Sequence, residues 1–257
     1  MKARLGQNFL VDDGVLAFEA ECAEVKGDSV LEIGAGDGRL TRRLLAAGAG
    51  HITAVELDPK LAKKLRIAFA AAKRVRVLEG DFLEFGESAR FGRIVGNIPY
   101  YITSPILLKL SRMKFGKAVL CVQKEVASRM AAEAGSSQYG RLSVFSQLCF
   151  NVEVLALVER SAFSPQPKVD SCIISLERTG FSMGACEEKA VGALFSHKKK
   201  SVRNAAVDAR RELFGSSDKH HAAKAAQTLK YAERKVFTLA PSEALEAARQ
   251  LCSKRQQ

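Results

Sequence analysis

Short apolar runs alternate with helical spacing through the first two thirds of the chain. Residues 29–33 (SVLEI) run into Gly34, and 52–57 (ITAVEL), 75–79 (VRVLE), 93–96 (RIVG) and 118–122 (AVLCV) repeat the pattern. Continuous apolar runs of this length predict parallel strands buried on both faces. Between them Leu40, Leu44 and Leu45, then Leu61, Leu65, Ala68 and Phe69, recur at helical intervals. Pro59 suits the first turn of the second of these helices, because its missing N–H would be unpaired there anyway. Alternating strand and helix predicts an α/β domain, a parallel sheet with helices on both faces. Two further runs, 152–158 (VEVLALV) and 169–176 (VDSCIISL), flank the proline-containing stretch Ser161–Lys168 and are expected to close the sheet as an antiparallel pair. Beyond Gly180 the pattern changes to short helices with alanine-rich or basic faces, broken near Gly215-Ser216-Ser217 and at Pro241. The expected organisation is an α/β domain over 1–180 and a small all-helical domain over 181–257.

Charge adds a partner class. Forty Lys and Arg against 28 Asp and Glu give +12 and a pI near 9.5. Residues 180–257 hold 15 basic and 8 acidic side chains, a balance of +7, against +5 over the longer remainder. A basic helical appendage on a more balanced domain is the electrostatic footprint of a protein that grips nucleic acid. No apolar run approaches the ~20 residues of a membrane span, and Met1–Asp13 carries no apolar stretch of the secretory kind. A soluble, cytoplasmic chain without membrane contact is therefore expected. The six cysteines are far apart in sequence and several sit in apolar runs, so free, buried thiols are expected. The four histidines have no metal-ligand spacing, and no metal site is expected.

Candidate chemistry begins at Glu32-Ile33-Gly34-Ala35-Gly36-Asp37-Gly38, which follows the first predicted strand and opens a helix. Glycines permit a tight turn and close approach of a ligand, and the helix start favours negative charge. The dinucleotide fingerprint fails at Arg39; an acid two residues before G-x-G-x-G resembles instead motif I of S-adenosylmethionine (SAM) methyltransferases. Glu56, at the end of the second strand and 22 residues past Gly34, is placed to accept both ribose hydroxyls, a feature that nicotinamide enzymes share. Asp81, in Gly80-Asp81-Phe82 after the third strand, is placed to bond an adenine amine while Phe82 packs on the ring. Such an Asp is also a common cap residue.

Asn97-Ile98-Pro99-Tyr100 follows the fourth strand. An exocyclic adenine amine is a poor nucleophile because its lone pair is delocalised into the ring. Acceptors at the Asn97 side-chain oxygen and the Ile98 carbonyl would draw it toward tetrahedral geometry, by preorganised electrostatics and without a strong base. Pro99 stiffens the loop, and Tyr100 offers a π-face to an extruded base.

Along nearly its whole length the chain resembles the KsgA-type ribosomal RNA adenine dimethyltransferases. The resemblance rests on Gly6-Gln7-Asn8-Phe9-Leu10, Leu31–Thr41, Val55–Asp58, Gly80–Leu83, Asn97–Tyr101, Gln123–Val126, Tyr139–Ser143, Phe163–Ser171 and Phe195–Asn204. It implies a Rossmann-like SAM-dependent methyltransferase fold with a helical C-terminal domain. SAM would be the cosubstrate, held by Asn8, Leu10, Gly34, Gly36, Glu56, Asp81, Phe82 and Asn97. Asn97, Ile98 and Pro99 would position the target amine, with Tyr100 and Phe163 sandwiching the base. Lys198, Lys199, Lys200 and Arg203 would contact the rRNA backbone. The implied reaction is transfer of two methyls to each of two adjacent adenosines near the 3′ end of small-subunit rRNA, in a pre-ribosomal particle, by a monomer.

Three alternatives stand beside it. An Erm-type methylase of large-subunit rRNA shares the SAM motifs, and Phe195–Asn204 argues against it. A non-catalytic nucleic-acid-binding relative would lack methyl transfer. A nicotinamide dehydrogenase is opposed by Arg39 and gives Asn97–Tyr100 no role.

Overall fold

The first βα unit sets the frame. The run SVLEI becomes strand β2, and four of its five residues are buried. The chain then turns through three glycines, all at positive φ, into a helix. The computed structural model describes residues 8–215 and 217–254. Gly6 and Gln7 of the opening motif, and Ser216 of the predicted break, lie outside the described residues.

In chain order the elements are β1 (Phe9–Leu10), α1 (Asp13–Cys22), β2 (Ser29–Ile33), α2 (Arg39–Ala46), β3 (His51–Glu56), α3 (Pro59–Ala68), β4 (Val75–Glu79), β5 (Arg90–Asn97), α4 (Thr103–Leu110), β6 (Lys114–Gln123), α5 (Lys124–Met130), α6 (Arg141–Cys149), β7 (Phe150–Val158), β8 (Phe163–Ser164), β9 (Ser171–Arg178), α7 (Ala185–Ser196), α8 (Val202–Asp208), α9 (Arg210–Phe214), α10 (Lys219–Gln227) and α11 (Pro241–Lys254).

The chain divides into two compact units, one up to Ala127 together with Asn151–Arg178, the other Ser128–Phe150 with the described residues from Thr179 onward. The last crossing between them falls at Arg178–Thr179, and an earlier excursion takes 128–150 out of the α/β unit.

In the first unit a seven-stranded sheet runs β4-β3-β2-β5-β6-β9-β7. β4, β3, β2, β5 and β6 are parallel, and β9 is antiparallel to β6, with Cys121 opposite Ile173. All the predicted strands are present. The order reverses beside β2, and the carboxyl ends of the strands at such a switch point form a ligand crevice. Val30, Ile52, Ala54, Val95, Val119 and Ile173 make the sheet's share of a core that Leu16, Ala20, Leu44 and Leu65 complete from the helices. α1 starts where the Asp12 carboxylate accepts from the Gly14 and Val15 N–H groups at 2.9 and 3.0 Å. α3 starts with Asp58 as its cap and Pro59 in its first turn, as its sequence requires.

β1 and β8 form a separate antiparallel ribbon in which Leu10 pairs with Phe163 and Phe9 with Ser164. Two motifs over 150 positions apart are thereby tied together, and the Val11 N–H extends the tie by donating to the Ala162 carbonyl at 2.8 Å.

The second unit is helical, as expected. The Tyr139 hydroxyl is fully buried and donates to the Leu239 carbonyl at 2.8 Å, while Gly135 N–H donates to Phe237 O at 2.7 Å. These bonds bind the 128–150 excursion to the C-terminal helices. One cysteine expectation is corrected: Cys186 on α7 and Cys252 on α11 form a disulfide. Helix pairing brings their Cα atoms to 6.1 Å, which a separation of 66 residues hides in the sequence. Cys121, Cys149 and Cys172 are free and buried, and Cys22 is free and half-buried. Among the described residues no helix is long and apolar enough to cross a membrane, and no cluster of metal-ligating side chains is present.

Candidate active site

One cleft at the carboxyl ends of β2, β3, β4 and β5 is lined by every side chain assigned above to donor or target base: Asn8, Leu10, Gly34, Gly36, Glu56, Asp81, Phe82, Asn97, Ile98, Pro99, Tyr100 and Phe163. They come from six separate stretches of sequence, all within the first unit. Sequence alone missed Phe9, Leu57, Tyr101 and Ile102 on the cleft wall, and Cys121 at its floor.

The glycine loop is shaped by conformation and by clearance. Gly36 sits at φ +58, and a Cβ there would come within 3.2 Å of the Phe9 ring. At Gly38, φ +81, a Cβ would stand 2.8 Å from Leu65 and 2.9 Å from Phe69. The first glycine lets the backbone line the cleft; the second lets α2 seat against α3. Gly38 at the N-cap of α2 offers no side chain, and the Asp37 carboxylate accepts from the Arg39 N–H at 3.2 Å in its place.

Glu56 is buried, 4% exposed, at the end of β3. Its Oε2 accepts from Gly36 N–H at 2.7 Å and its Oε1 from Asp58 N–H at 2.8 Å. Each oxygen retains a further lone pair for a ligand hydroxyl, and the backbone bonds lock the carboxylate's direction. Asp81 lines the cleft, and its Oδ1 caps the turn Phe82–Glu84 by accepting from Leu83 N–H at 2.8 Å. Phe82 is buried against Phe85, and the Lys109 ammonium lies 5.6 Å from its ring centre.

Glu32 faces the interior, 1% exposed, and accepts from the Thr41 hydroxyl at 2.6 Å. That bond staples β2 to α2. Burial pushes its pKa up to about 8 despite the Thr41 bond. Glu19 of α1, which the sequence did not mark, is also fully buried, and burial raises its pKa to about 8, with repulsion from Glu32 adding to the rise.

The loop 97–100 is braced from three sides. Ile98 N–H donates to Cys121 O at 3.1 Å, Ile102 N–H to Pro99 O at 3.1 Å, and the Thr103 hydroxyl to Tyr100 O at 3.3 Å. Two carbonyls of the loop are thereby taken. The Ile98 carbonyl takes no bond among the described residues, as a substrate acceptor requires. Tyr100 is half-buried and its hydroxyl lies 2.8 Å from that of Ser171. Burial raises its pKa, and the Ser171 bond partly offsets the rise. Oδ1 of Asn97, the amide atom expected to meet the substrate, is buried without a hydrogen-bond partner. Phe163 is 6% exposed and packs into the core beside the ribbon.

The four basic side chains expected to meet RNA lie in the second unit. Lys198 is occupied there: its ammonium donates to the carbonyls of Ser137 and Tyr139 at 2.8 and 2.7 Å. Lys200 pairs with Asp208 and Arg203 with Glu233, both at exposed positions. Lys199 is exposed.

A sequence model described as "Ribosomal RNA adenine dimethylase" matches residues 1–236. A protein of Methanopyrus kandleri named "Probable ribosomal RNA small subunit methyltransferase A" is 44% identical over 211 residues, covering 79% of this chain and 75% of that one. A crystal structure of a dimethyladenosine transferase from Plasmodium falciparum superposes with a TM-score of 0.78 at 28% identity, over 93% of this chain and 95% of the other. The 23S rRNA methyltransferase ErmE superposes with a TM-score of 0.68 at 30% identity, over 95% and 99%.

Proposed function

The chain belongs to the ribosomal RNA adenine dimethylase family, and on that premise we propose that it dimethylates two adjacent adenosines near the 3′ end of small-subunit rRNA, within a pre-ribosomal particle. It is a SAM-dependent rRNA adenine dimethyltransferase. The observation that carries the reading is the single cleft in which the glycine loop, Glu56 and Asp81 face the Asn97–Tyr100 loop.

The residues present fit the donor. The positive-φ cradle at Gly34 and Gly36 leaves backbone open where an amino-acid carboxylate would lie, and Glu56 and Asp81 each keep acceptor capacity. Asn8 and Leu10 would close over it from β1, and Phe82 would pack on its adenine. When bound, SAM supplies a methyl group on a sulfonium, an electrophile that needs no further activation. The protein's task is therefore to prepare the nucleophile. The Ile98 carbonyl and the Asn97 amide oxygen accept the two N–H bonds of the target amine and return its lone pair toward the donor. Tyr100 and Phe163 hold the ring, and the apolar wall of Ile98, Pro99 and Leu10 excludes water. Acceptors fixed before the reaction cost no reorganisation during it.

The α/β unit would then be the catalytic domain and the basic helical unit the rRNA dock, giving salt-dependent backbone affinity. Lys199 would meet phosphate directly, and Lys200 and Arg203 would exchange exposed carboxylate partners for it. The bonds of Lys198 assign it to holding its own unit together. A monomer in the cytoplasm suffices for this scheme. The small-subunit reading is favoured over the large-subunit one by the 44% identical relative's name, against 30% identity to ErmE.

The test is incubation of undermethylated small subunits, with large subunits in parallel, with the protein and labelled SAM, followed by nucleoside separation. Dimethyladenosine in small-subunit RNA alone is expected. Label confined to large-subunit RNA would overturn the substrate assignment.

A further inference from the structure

Behind the cleft, two polar groups meet with their bonding capacity unspent. Glu19 of α1 is completely buried, and neither carboxyl oxygen has a hydrogen-bond partner. The Asn97 amide lies against that carboxyl and, as a donor short of full hydrogen-bond geometry, opposes the rise in its pKa, while its own Oδ1 is buried and unpartnered. Buried polar atoms left unpaired cost about 1–3 kcal/mol each, so a juxtaposition of three such atoms calls for an explanation. Core packing supplies none, because an apolar side chain would fill this place on α1 without the cost.

We propose that Glu19 is the positioning residue for Asn97, deciding which end of its amide faces the target amine. An ionised Glu19 accepts from Nδ2, which turns the amide so that Oδ1 enters the cleft and can accept the substrate N–H. A protonated Glu19 donates its O–H to Oδ1, which holds that oxygen inward and leaves Nδ2, a donor, facing a substrate amine that also donates. The first arrangement is productive and the second is not.

The surroundings make this exchange accessible. Glu32 of β2 acts on Glu19 by repulsion, Asn97 of β5 by its amide, and Cys121 of β6 interacts with it electrostatically. Burial pushes the Cys121 thiol well up, so that it stays protonated. Cations on the flanking elements are engaged elsewhere: Arg43 of α2 with Asp13 at 3.0 Å, and Lys117 of β6 with Glu24 at 2.9 Å. With its pKa at about 8, Glu19 releases its proton within the range where the enzyme can be assayed.

The inference rests on Asn97 acting at the target amine, and two readouts separate the questions. The first is single-turnover methyl transfer from pH 6.5 to 9 by the wild type, Glu19→Gln and Glu19→Leu, with SAM affinity and melting temperature measured alongside. The wild-type rate is expected to climb severalfold through about pH 8 with SAM affinity level. Both variants should lose that limb, and Glu19→Leu should run several times slower than the wild type at pH 9. The second is the side-chain amide NMR resonance of Asn97 without substrate. It should titrate near pH 8 in the wild type and stay fixed in Glu19→Leu, whatever RNA the enzyme methylates. A limb that survives unchanged in Glu19→Leu, as one owed to Glu32 would, overturns the proposal; so does an Asn97 resonance that ignores pH in the wild type.

Discussion

The hydroxyl of Tyr100 and the hydroxyl of Ser171 lie 2.8 Å apart, bonding residues 71 positions distant. Tyr100 belongs to the loop after β5, while Ser171 opens β9, the strand that runs against β6. The Tyr100 ring is thus oriented from β9, the strand antiparallel to β6. Ser171→Ala should free the ring without removing it. We expect methyl transfer to fall about 3- to 10-fold with SAM affinity unchanged, as loss of one neutral hydrogen bond of ~1 kcal/mol predicts. Tyr100→Phe should behave alike and Tyr100→Ala far worse; single-turnover rates beside SAM titrations check the series.

On the proposed mechanism, Asn97→Ala removes an acceptor that matters only while the amine is becoming pyramidal. Deleting such a group costs about 100- to 1000-fold in rate. SAM binding by calorimetry should remain within a few-fold of the wild type. A variant with near-normal turnover would sink the account of amine activation.

Gly38→Ala should act on folding. Its Cβ would meet Leu65 at 2.8 Å and Phe69 at 2.9 Å, at φ +81, so steric and backbone strain combine. A loss of about 1–3 kcal/mol is expected, read as a fall of several degrees in melting temperature. Gly36→Ala places its methyl beside Phe9 on the cleft wall and should weaken SAM binding as well.

Glu19 and Glu32 predict an unusual stability profile. Both carboxyls ordinarily titrate near 4.5, and in the folded protein burial keeps them protonated to about 8. Across that window the folded state holds protons that the unfolded chain has released. Their contribution is therefore most favourable below about pH 4.5, declines as pH rises and levels off above about 8. Because they repel one another they titrate as a pair. Denaturant unfolding between pH 5 and 8 should show the decline, and Glu19→Leu should flatten much of it. An equal slope in wild type and variant would show that Glu19 ionises freely in the fold.

Much of the site was legible in sequence because its parts are local. Gly34–Gly38, Glu56, Asp81 and Asn97–Tyr100 each lie at or just past the end of a strand, so chain order alone carries them to the carboxyl end of the sheet. Phe163 and Asn8 were legible only through resemblance, and the ribbon that joins their segments has just two residue pairs. Glu19 stayed hidden: one acid in a helix between Phe18 and Ala20 reads as a solvated position until the helix is seated on the sheet. Lys198 has a local use that its charge does not announce: two carbonyls of the 137–139 segment accept hydrogen bonds from its ammonium.

Sequence by itself determined the α/β order, the glycine loop, the strand-end acids and the target-amine loop, because strand burial and turn chemistry act over a few residues. Tertiary structure alone decided that 128–150 joins the C-terminal helices, that Cys186 meets Cys252, and that Glu19 backs Asn97. Those outcomes depend on which distant surfaces exclude water together, and a linear pattern does not contain that choice.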